Sequence, residues 1–581
     1  MPPARKAMES RWQRTWRALL YGHDVDREVK AKARVGLAIL AFAGIYAVIA
    51  LRLVMFAMAS SGHGGHHTVT QDAVATARPD ILDRNGEILA TDIKAPSLFA
   101  EPRKLIDVDD AEEQLTATLP DLDVKELRKR LSSKRAFVWL KREITPLQQR
   151  AIHRLGIPGV GFLTENRRIY PNGPVVSHVI GLVNIDNQGI AGMEKWLDGQ
   201  GLAALHMAGL ATDRLQRPVE LALDLRVQFA LRDELVKARA KFQAKAAAGI
   251  VLDVNTGEVV ALVSEPDYDP NNPREVNDPS RINRLTTGVY EMGSTFKVLT
   301  VAMALDAGKA TLASTFDASH PLHYGRFAIH DYEPEHRALT VPEIFTHSSN
   351  IGAARMALAV GVDGHKAFLK KMGQLDRLRT ELPESAEPLV PKNWGELNTV
   401  TIAFGHGLSV APLQALMGVA ATVNGGLLIK PTFLKRSRAA AMQTATRVLK
   451  PQTSRDIRYL MRLNAEKGTA THANVDGYYI GGKTGTAEKV VNGRYSKHKL
   501  LTDFMAVLPA DKPRYLVLIM LDEPQPTPET HGFATAGWNA SPTAAKVIRR
   551  IAPLLDIAPR FDLPKADQLI LAKAISSLTS P

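Results

Sequence analysis

A serine and a lysine three positions apart stand just before an apolar run in the middle of the chain. The segment reads Gly-Ser-Thr-Phe-Lys at 293–297, and the mostly apolar residues 298–307 follow it. If this run is a helix, Ser294 lies at its N-terminus and shares one face with Lys297, so the two side chains can exchange a proton. A serine becomes a nucleophile only beside a base, and a lysine with a depressed pKa can be that base. The alternative interpretation is a helix cap followed by a surface lysine.

A second polar motif, Ser348-Ser349-Asn350, falls between two segments with helical signals. Residues 340–343 have the Thr-x-x-Glu form of a capping box with proline in the first turn, and 351–360 read as a further helix. The motif is therefore predicted at a helix–helix junction, where Ser348 and Asn350 can both point into a cleft. Taken alone, it is as well explained as a helix cap.

A third motif, Gly-Gly-Lys-Thr-Gly-Thr at 481–486, precedes a late pair of predicted strands. Its glycines allow the backbone of a ligand to lie close along a strand edge. The Lys483 amine and the hydroxyls of Thr484 and Thr486 can hold a carboxylate. The alternative is a glycine-rich turn.

The surrounding patterns predict the elements that would position these motifs. Residues 249–254 and 258–263 flank an Asn-Thr-Gly turn and predict an antiparallel hairpin, and 503–508 with 515–521 predict another. A long helical pattern covers 223–245, and mostly helical segments separate the two hairpins. Strands, helices and strands in that order predict an α+β fold in which helices cover an antiparallel sheet.

Composition restricts the classes of function that remain. The chain has 581 residues, of which 45% are apolar and 23% charged, as expected for a folded protein of several domains. It contains no cysteine, which excludes disulfide frameworks, cysteine-based metal sites and thiol catalysis. The formal net charge of +13 suits nucleic acid, a membrane surface or an anionic polymer. Because no dense basic run occurs outside residues 1–34, nucleic acid is disfavoured.

That basic segment precedes a long apolar stretch. Residues 35–51 carry no charge, Arg52 interrupts, and 53–59 are apolar again. An arginine near a helix end can reach the membrane interface, so 35–59 can cover the roughly 30 Å hydrocarbon core of a bilayer. The basic flank predicts a cytoplasmic N-terminus. A cleaved signal peptide is the alternative, since 57–59 have the small-x-small form of a cleavage site, but the long leader and Arg52 disfavour it.

The predicted organisation has six parts: a cytoplasmic tail (1–34), a transmembrane anchor (35–59), a linker (60–75), a pedestal without the three motifs (76–215), the domain that carries them (219–557) and a C-terminal tail (558–581). The linker contains His63, His66 and His67. A solvated tether is the favoured interpretation of these histidines, and metal binding is the alternative.

The ordered set Ser-x-x-Lys, Ser-x-Asn and Lys-Thr-Gly is the signature of penicillin-recognising serine acyltransferases. Its members stand 54 residues apart (Ser294 to Ser348) and 135 residues apart (Ser348 to Lys483). The chain resembles a class B penicillin-binding protein from the anchor to about residue 555, and its segment 339–352 is most similar to the septal peptidoglycan D,D-transpeptidases. The other segments that carry the resemblance are 78–86, 167–171, 189–194, 224–228, 404–408 and 468–470.

The resemblance implies a penicillin-binding, serine β-lactamase-like transpeptidase domain on an elongated mixed α/β pedestal. It also implies residue roles. Ser294 is expected to attack the penultimate D-Ala carbonyl of a D-Ala-D-Ala stem peptide, with Lys297 as the base. Ser348 is expected to relay the proton to the leaving amine, and Asn350 to orient Lys297 and the substrate amide.

The resemblance assigns substrate binding to the third motif. The residues expected to hold the terminal carboxylate are Lys483, Thr484, Gly485 and Thr486. The backbone N–H groups of Ser294 and Thr486 are expected to form the oxyanion hole. The family requires no metal and no organic cofactor.

The resemblance also implies partners and a location. Expected ligands are peptidoglycan stem peptides, as donor and amine acceptor, and β-lactam antibiotics. An FtsW-type glycan polymerase and other division proteins of the membrane are expected partners. The location is then the bacterial inner membrane at the division site, with the catalytic domain in the periplasm.

Three alternatives to septal cross-linking stay open. The same chemistry can serve lateral-wall elongation. A carboxypeptidase or β-lactamase would pass the acyl group to water, but Trp394 stands where class A lactamases carry the deacylating glutamate. A non-catalytic division scaffold is the third alternative.

Overall fold

The computed structural model describes residues 36, 39–52, 77–202, 217–325, 327–491, 493–563 and 565–566. The predicted tail 1–34 and the linker 60–75 with its histidines lie outside these residues. Residues 39–52, within the predicted anchor, are helical. In the described part of the chain, no helix combines the length and hydropathy needed to span a membrane. The chain divides into two units, 1–73 and 74–581, and all elements named below belong to the second.

The strands are β1 (Ile81–Leu82), β2 (Ile88–Ala100), β3 (Val138–Lys141), β4 (Val160–Ile169), β5 (Leu182–Val183), β6 (Gly189–Ala191), β7 (Val219–Glu220), β8 (Ala246–Asp253), β9 (Val259–Glu265), β10 (Thr315–Asp317), β11 (Leu322–Tyr324), β12 (Phe327–Ile329), β13 (Ala338–Thr340), β14 (Leu427–Leu428), β15 (Thr446–Arg447), β16 (Gly481–Val491), β17 (Arg494–Leu508) and β18 (Tyr515–Asp522).

The helices are α1 (Val108–Thr118), α2 (Val124–Leu131), α3 (Pro146–Leu155), α4 (Ser177–Ile180), α5 (Gly192–Leu197), α6 (Leu225–Lys241), α7 (Lys297–Asp306), α8 (Val341–Thr346), α9 (Asn350–Val360), α10 (Val362–Lys371), α11 (Glu396–Ile402), α12 (Pro412–Val423), α13 (Arg438–Thr444), α14 (Pro451–Lys467) and α15 (Ala540–Leu554).

A five-stranded antiparallel sheet forms the centre of the second half of the molecule. Its strand order is β16-β17-β18-β8-β9, so the two predicted hairpins lie side by side in one sheet. Every residue of β18 and all but the last of β8 are buried, because helices cover both faces. The predicted antiparallel sheet with helical layers is confirmed, and it has a fifth strand, β16, where the sequence indicated only a glycine-rich motif.

Alternating side chains of the sheet enter two different cores. On one face, Leu516 and Leu518 of β18 join α7 and α12 in the larger core. On the other face, Val517 and Ile519 join α6 and α15. This alternation follows from the two-residue period of a strand. The three sequence motifs belong to the α7 side.

The first half of the second unit is built on the 13-residue strand β2, which pairs with β1, β3 and β4. Three segments that carry the family resemblance meet beside it. The Arg78 guanidinium contacts Glu194 at 2.8 Å and Asp198 at 2.7 Å, and Arg168 contacts Glu194 at 2.6 Å and Asp92 at 3.1 Å. The two arginines and Glu194 are fully buried, so their charges offset one another in the interior.

The two halves of this unit are joined by backbone pairing and by buried side chains. Strand β1 pairs in parallel with β7, which directly precedes α6. Gln228 of α6 donates to the carbonyls of Val175 and Leu262 at 2.7 Å each and accepts from the Leu262 N–H at 2.8 Å. One amide thus ties a pedestal loop, a helix and strand β9 together.

Candidate active site

Ser294 lies in a 3₁₀ turn, Gly293–Phe296, that leads directly into α7. The predicted helix is present, but the serine precedes its α-helical part. In a 3₁₀ turn the residues i and i+3 are nearly eclipsed. This places Lys297 over Ser294, with Lys297 Nζ 2.9 Å from Ser294 Oγ.

Gly293 is needed at the start of this turn for two reasons. Its φ of 52° is left-handed, and a Cβ on it would come within 2.9 Å of the Thr486 carbonyl oxygen. A side chain would therefore strain the backbone and push the turn away from β16. The close approach sets the serine next to the third motif.

The second motif occupies the junction between α8 and α9, as predicted. The Thr340/Glu343 capping box starts α8, and Ser349 caps α9 by accepting from the Gly352 N–H at 2.9 Å. Ser348 takes a left-handed φ of 59° between the two helices. The junction therefore turns both Ser348 and Asn350 toward the amine of α7.

The Lys297 amine is surrounded by oxygen atoms of this junction. Its Nζ donates to Asn350 Oδ1 at 2.8 Å, to Ser348 Oγ at 3.1 Å and to the Ser348 carbonyl. With the contact to Ser294, the first two motifs thus form one hydrogen-bonded cluster.

The third motif lies on β16, an edge strand of the sheet. Lys483 Nζ donates to Ser348 Oγ at 2.9 Å and to the Thr484 carbonyl at 3.1 Å. The Ser348 hydroxyl therefore contacts both lysine amines. The Thr484 hydroxyl bonds Thr469 at 2.7 Å, and Thr486 Oγ1 accepts from the Ala536 N–H at 3.1 Å.

Burial controls the charge of the two lysines, whose side chains are at most 1% exposed. Desolvation lowers the pKa of Lys297 well below its ordinary value, and the neighbouring Lys483 lowers it further, while Asp331 acts in the opposite direction. Desolvation also lowers the pKa of Lys483 to about 7, against a raising effect of Asp503. An amine that is neutral near pH 7 can take a proton from a serine hydroxyl.

Asp331 is a positioning residue that sequence reasoning missed. It follows β12 in a loop, and its carboxylate accepts from Ser349 Oγ at 2.6 Å, from the Asn350 N–H at 2.5 Å and from the Ile351 N–H at 2.9 Å. A carboxylate at a helix N-terminus satisfies free N–H groups and is favoured by the helix dipole. No sequence signal marks Asp331, because it precedes the groups that it binds by 18 to 20 positions, whereas the partners in a capping box are three positions apart.

Asn464 of α14 is a second residue that the motifs did not indicate. Its amide donates to the Gly482 carbonyl at 2.8 Å, and its Oδ1 accepts from the Thr469 N–H at 3.1 Å. It therefore holds the start of β16 against the segment 468–470. That segment was noted in the sequence only for its resemblance.

The loop 404–407 closes the side of the site next to the serine. Gly293 N–H donates to the Gly405 carbonyl at 3.2 Å, and Gly407 N–H donates to Glu291 at 2.8 Å. Tyr495 of β17 also donates to Glu291, at 3.0 Å. Desolvation lowers the pKa of His406 to about 4, so its imidazole is neutral in this loop.

The cluster has the parts that acyl transfer requires. It presents the Ser294 hydroxyl beside the buried Lys297 amine, the Ser348 hydroxyl between the amines of Lys297 and Lys483, and a strand edge that carries Lys483. The carboxamide of Asn350 holds the first amine in place. Together these features suit acyl transfer by a serine with a lysine as the base.

Comparisons with known proteins give the family. A model described as the penicillin-binding protein transpeptidase domain matches residues 247–548, and one described as the penicillin-binding protein dimerisation domain matches 73–199. The chain is 40% identical over 513 residues to the probable peptidoglycan D,D-transpeptidase FtsI of Caulobacter vibrioides, covering 87% of this chain and 85% of the relative. It is 31% identical to the probable peptidoglycan D,D-transpeptidase PenA of Neisseria gonorrhoeae, covering 93% and 96%.

A solved structure shares the fold. It is that of a peptidoglycan synthetase from Bifidobacterium adolescentis, with a TM-score of 0.66 at 22% identity, covering 85% of this chain and 98% of that one. The chain belongs to the penicillin-binding proteins. Its paired dimerisation and transpeptidase domains make it a class B member, which confirms the resemblance found in the sequence.

Proposed function

We propose that this protein is a membrane-anchored peptidoglycan D,D-transpeptidase that cross-links stem peptides at the division septum and is a target of β-lactam antibiotics. The observation that carries the proposal is the contact of the buried Lys297 amine with Ser294 Oγ at 2.9 Å. A serine activated in this way forms an acyl-enzyme. The relatives named D,D-transpeptidases support peptidoglycan as the substrate class.

Acylation begins with the neutral Lys297 amine. It removes the Ser294 proton while Oγ attacks the carbonyl carbon of the penultimate D-Ala. Asn350 Oδ1 fixes the amine for this transfer. The tetrahedral oxyanion is bound by the backbone N–H groups of Ser294 and Thr486, and donors of this kind contribute about 3–4 kcal/mol each.

Collapse of the tetrahedral intermediate expels the terminal D-Ala. Its amine leaves as a neutral group and therefore needs a proton. Ser348 is placed to deliver that proton, because its hydroxyl contacts both Lys297 and Lys483. The proton that Lys297 took from the nucleophile can return along this path.

Lys483 and its neighbours on β16 bind the carboxylate of the terminal D-Ala. An ammonium and two threonine hydroxyls beside an open strand edge suit a carboxylate. The missing side chain of Gly485 lets β16 lie close to Asp503 and to the Met292 carbonyl, beside the turn that carries Ser294. A neighbouring strand's amine then attacks the acyl-enzyme and forms the cross-link. No step uses a metal or an organic cofactor.

The proposed location follows from the sequence around the N-terminus. Residues 35–59 anchor the chain in the inner membrane with residues 1–34 in the cytoplasm and the catalytic domain in the periplasm. The pedestal and the anchor contact an FtsW-type glycan polymerase and other division proteins. The similarity of 339–352 to septal members, and the relative named FtsI, favour division over lateral-wall elongation.

Covalent labelling by a fluorescent penicillin tests the catalytic proposal. The full-length protein in membranes is expected to form a persistent adduct, which Ser294→Ala abolishes. Ser132→Ala, a change of an exposed serine in the pedestal, is expected to label normally. Rapid turnover of the penicillin would indicate a hydrolase instead, and labelling of the Ser294→Ala protein would remove the assigned nucleophile.

Localisation tests the biological role separately. A fluorescent fusion of the full chain is expected at midcell during division. A signal confined to the lateral wall would assign the same chemistry to elongation. Septal cross-linking restored fully by Ser294→Ala would leave only a scaffold role.

A further inference from the structure

A carboxyl group lies inside the sheet directly beside the third motif. Asp503 of β17 is fully buried and pairs across the sheet with Gly485 of β16. Lys483 pairs with Met505 two residues further along. Residues two apart on a strand point to the same face, so Asp503 is the diagonal neighbour of Lys483 on the face toward α7.

The space that Asp503 occupies exists because residue 485 has no side chain. A Cβ on Gly485 would lie 2.5 Å from Asp503 Oδ2 and 2.7 Å from the Met292 carbonyl oxygen. The carboxyl therefore reaches up between β16 and the turn that carries Ser294.

Asp503 is unpartnered in this position. Among the described residues, no donor lies in hydrogen-bond geometry to either carboxyl oxygen, although the Thr295 hydroxyl is close enough to lower the pKa of Asp503. The nearby Thr295 hydroxyl donates to the Met292 carbonyl at 2.7 Å instead. A buried carboxyl without a partner is costly, and such groups occur mostly where their charge is used.

The charged groups around this carboxyl all belong to the site. Lys483 faces it from β16, and Lys297 of α7 faces Lys483 across Ser348. Asp331, from the loop after β12, acts on Lys297 from the opposite side. The 3₁₀ turn contributes the Thr295 hydroxyl, and Met292 just before it contributes its carbonyl oxygen. Two amines and two carboxyl groups are thus linked by pairwise electrostatic effects.

Protonation of both amines at the same time is electrostatically unfavourable. Both contact Ser348 Oγ, at 3.1 Å for Lys297 and 2.9 Å for Lys483, and like charges at this separation oppose each other's ionisation. The reaction requires a neutral base and a charged carboxylate-binding group. Some group must therefore distinguish the two lysines.

We propose that Asp503 is a positioning residue whose negative charge keeps the ammonium on Lys483 and so leaves Lys297 as the neutral base. The inference rests on the proposed transpeptidase function and extends it to a residue outside the three motifs. Asp503 does not touch the substrate. It acts through Lys483 from beneath the strand.

Hydrogen bonding decides where the proton of this pair resides. Desolvation raises the pKa of Asp503 to about 8, against lowering effects of Thr295 and Lys483, while that of Lys483 is about 7, so the two groups compete for one proton. A proton on Lys483 Nζ has two acceptors, Ser348 Oγ and the Thr484 carbonyl. The proton is therefore held by two hydrogen bonds when it resides on Lys483, and these favour the form in which Lys483 is charged and Asp503 is ionised.

The pH profile of penicillin acylation tests the proposal. Second-order acylation rates of the full-length protein are measured from pH 5 to 10 for the wild type and for Asp503→Asn, which keeps the shape and removes the charge. We expect the alkaline limb, where Lys483 loses its proton, to move about one unit lower, because a neighbouring opposite charge shifts a pKa by that order. On the alkaline limb this shift corresponds to about tenfold slower acylation at a given pH.

Asp522→Asn is the matched control, because Asp522 is a buried acid of the same sheet that contacts Lys489 rather than the site. Its profile is expected to superimpose on that of the wild type. Asp503→Ser is smaller and also uncharged, and it is expected to shift the alkaline limb as Asp503→Asn does. This second variant keeps the test valid if the asparagine packs poorly. Profiles of both variants that superimpose on the wild type after scaling would overturn the proposal. A wild type that penicillin does not acylate would instead overturn the proposed function.

Discussion

At the scale of single residues, the candidate site is built around a buried amine whose pKa is lowered although acceptors surround it. Lys297 contacts three oxygen atoms of the second motif and the nucleophile, an arrangement that on its own favours an ammonium. Desolvation and Lys483 act against that charge and lower the pKa of Lys297. In the proposed mechanism Lys297 can therefore accept the serine proton and then hold it through these hydrogen bonds.

Lys297→Arg tests whether the base must be able to lose its proton. A guanidinium stays protonated at all working pH values, so we expect acylation by penicillin to fall at least about 10³-fold, as for a lost general base. Lys309→Arg, at an exposed lysine just after α7, is expected to change the rate less than twofold. The rates are measured with a fluorescent penicillin on full-length protein.

An Lys297→Arg protein that retained a tenth or more of the wild-type rate would show that the charge of this residue, rather than its basicity, matters. A thermal unfolding curve for each variant separates this result from a failure to fold.

At the scale of elements, the start of α9 decides where the second motif points. Three groups at this helix end donate to one carboxylate, that of Asp331. The loop that carries Asp331 thereby fixes the direction of the Asn350 side chain, which in turn holds Lys297. The loop thus positions Lys297 indirectly, because it fixes the start of α9 and Asn350 then holds the Lys297 amine.

Asp331→Ala is expected to reduce both stability and acylation. Loss of a carboxylate at a helix N-terminus costs about 1–2 kcal/mol of unfolding free energy, and we expect acylation to slow about tenfold or more as Asn350 loses its fixed direction. Asp123→Ala is the matched control, because Asp123 caps α2 in the pedestal by accepting from the Glu126 N–H.

The control is expected to lose a similar free energy of unfolding while its acylation rate stays within twofold. Equal acylation rates for the two variants, compared below their unfolding temperatures, would contradict a positioning role for Asp331.

The elements also show what the sequence could predict. Local signals predicted the helix at α6, the capping box of α8 and the two hairpins, because each rests on neighbours in sequence. The order of the three motifs identified the site through family resemblance. Sequence patterns missed Asp331, Asn464 and Asp503. Asp331 contacts groups 18 to 20 positions away, Asn464 contacts Gly482 18 positions away as well as the nearby Thr469, and Asp503 faces its neighbours across a strand pair. No single-sequence pattern marks contacts of that kind.

The 3₁₀ turn at Ser294 also differs from the sequence-based prediction because of contacts that are distant in sequence. The apolar run predicted the helix correctly but placed Ser294 at the N-terminus of the α-helix itself. The turn is held by contacts with β16 and with Gly405, which are remote in sequence. Tertiary contacts thus choose between two helical geometries that the local sequence allows equally.

At the scale of the whole molecule, the pedestal and the catalytic half share buried polar contacts. Gln228 is 1% exposed and satisfies both backbone groups of Leu262 and the carbonyl of Val175. An additional contact joins the halves nearby, where the Leu225 N–H donates to Asp83 at 3.0 Å. These bonds make the stability of the catalytic half dependent on the pedestal.

Gln228→Ala is expected to lower the free energy of unfolding by about 3 kcal/mol, because it leaves several buried groups without partners at about 1–3 kcal/mol each. Denaturant unfolding followed by tryptophan fluorescence measures the change. Gln452→Ala, at an exposed position of α14, is expected to change it by less than about 0.5 kcal/mol.

Acylation by penicillin at low temperature should be nearly unchanged in Gln228→Ala, since the residue lies outside the site. An unaltered unfolding midpoint would show that the junction contributes nothing to the stability of the catalytic half.

The order of strands in the central sheet has a consequence for folding during synthesis. Strand β8 pairs with β18, and the paired residues Asp253 and Tyr515 are 262 positions apart. At about 5–20 residues per second, synthesis of that interval takes roughly 13–50 s. Throughout it, the β8–β9 hairpin exists with two apolar faces and an unpaired edge, a form prone to aggregate. Ser294 is made long before strands β16, β17 and β18, so the candidate site can be completed only when these late strands have emerged.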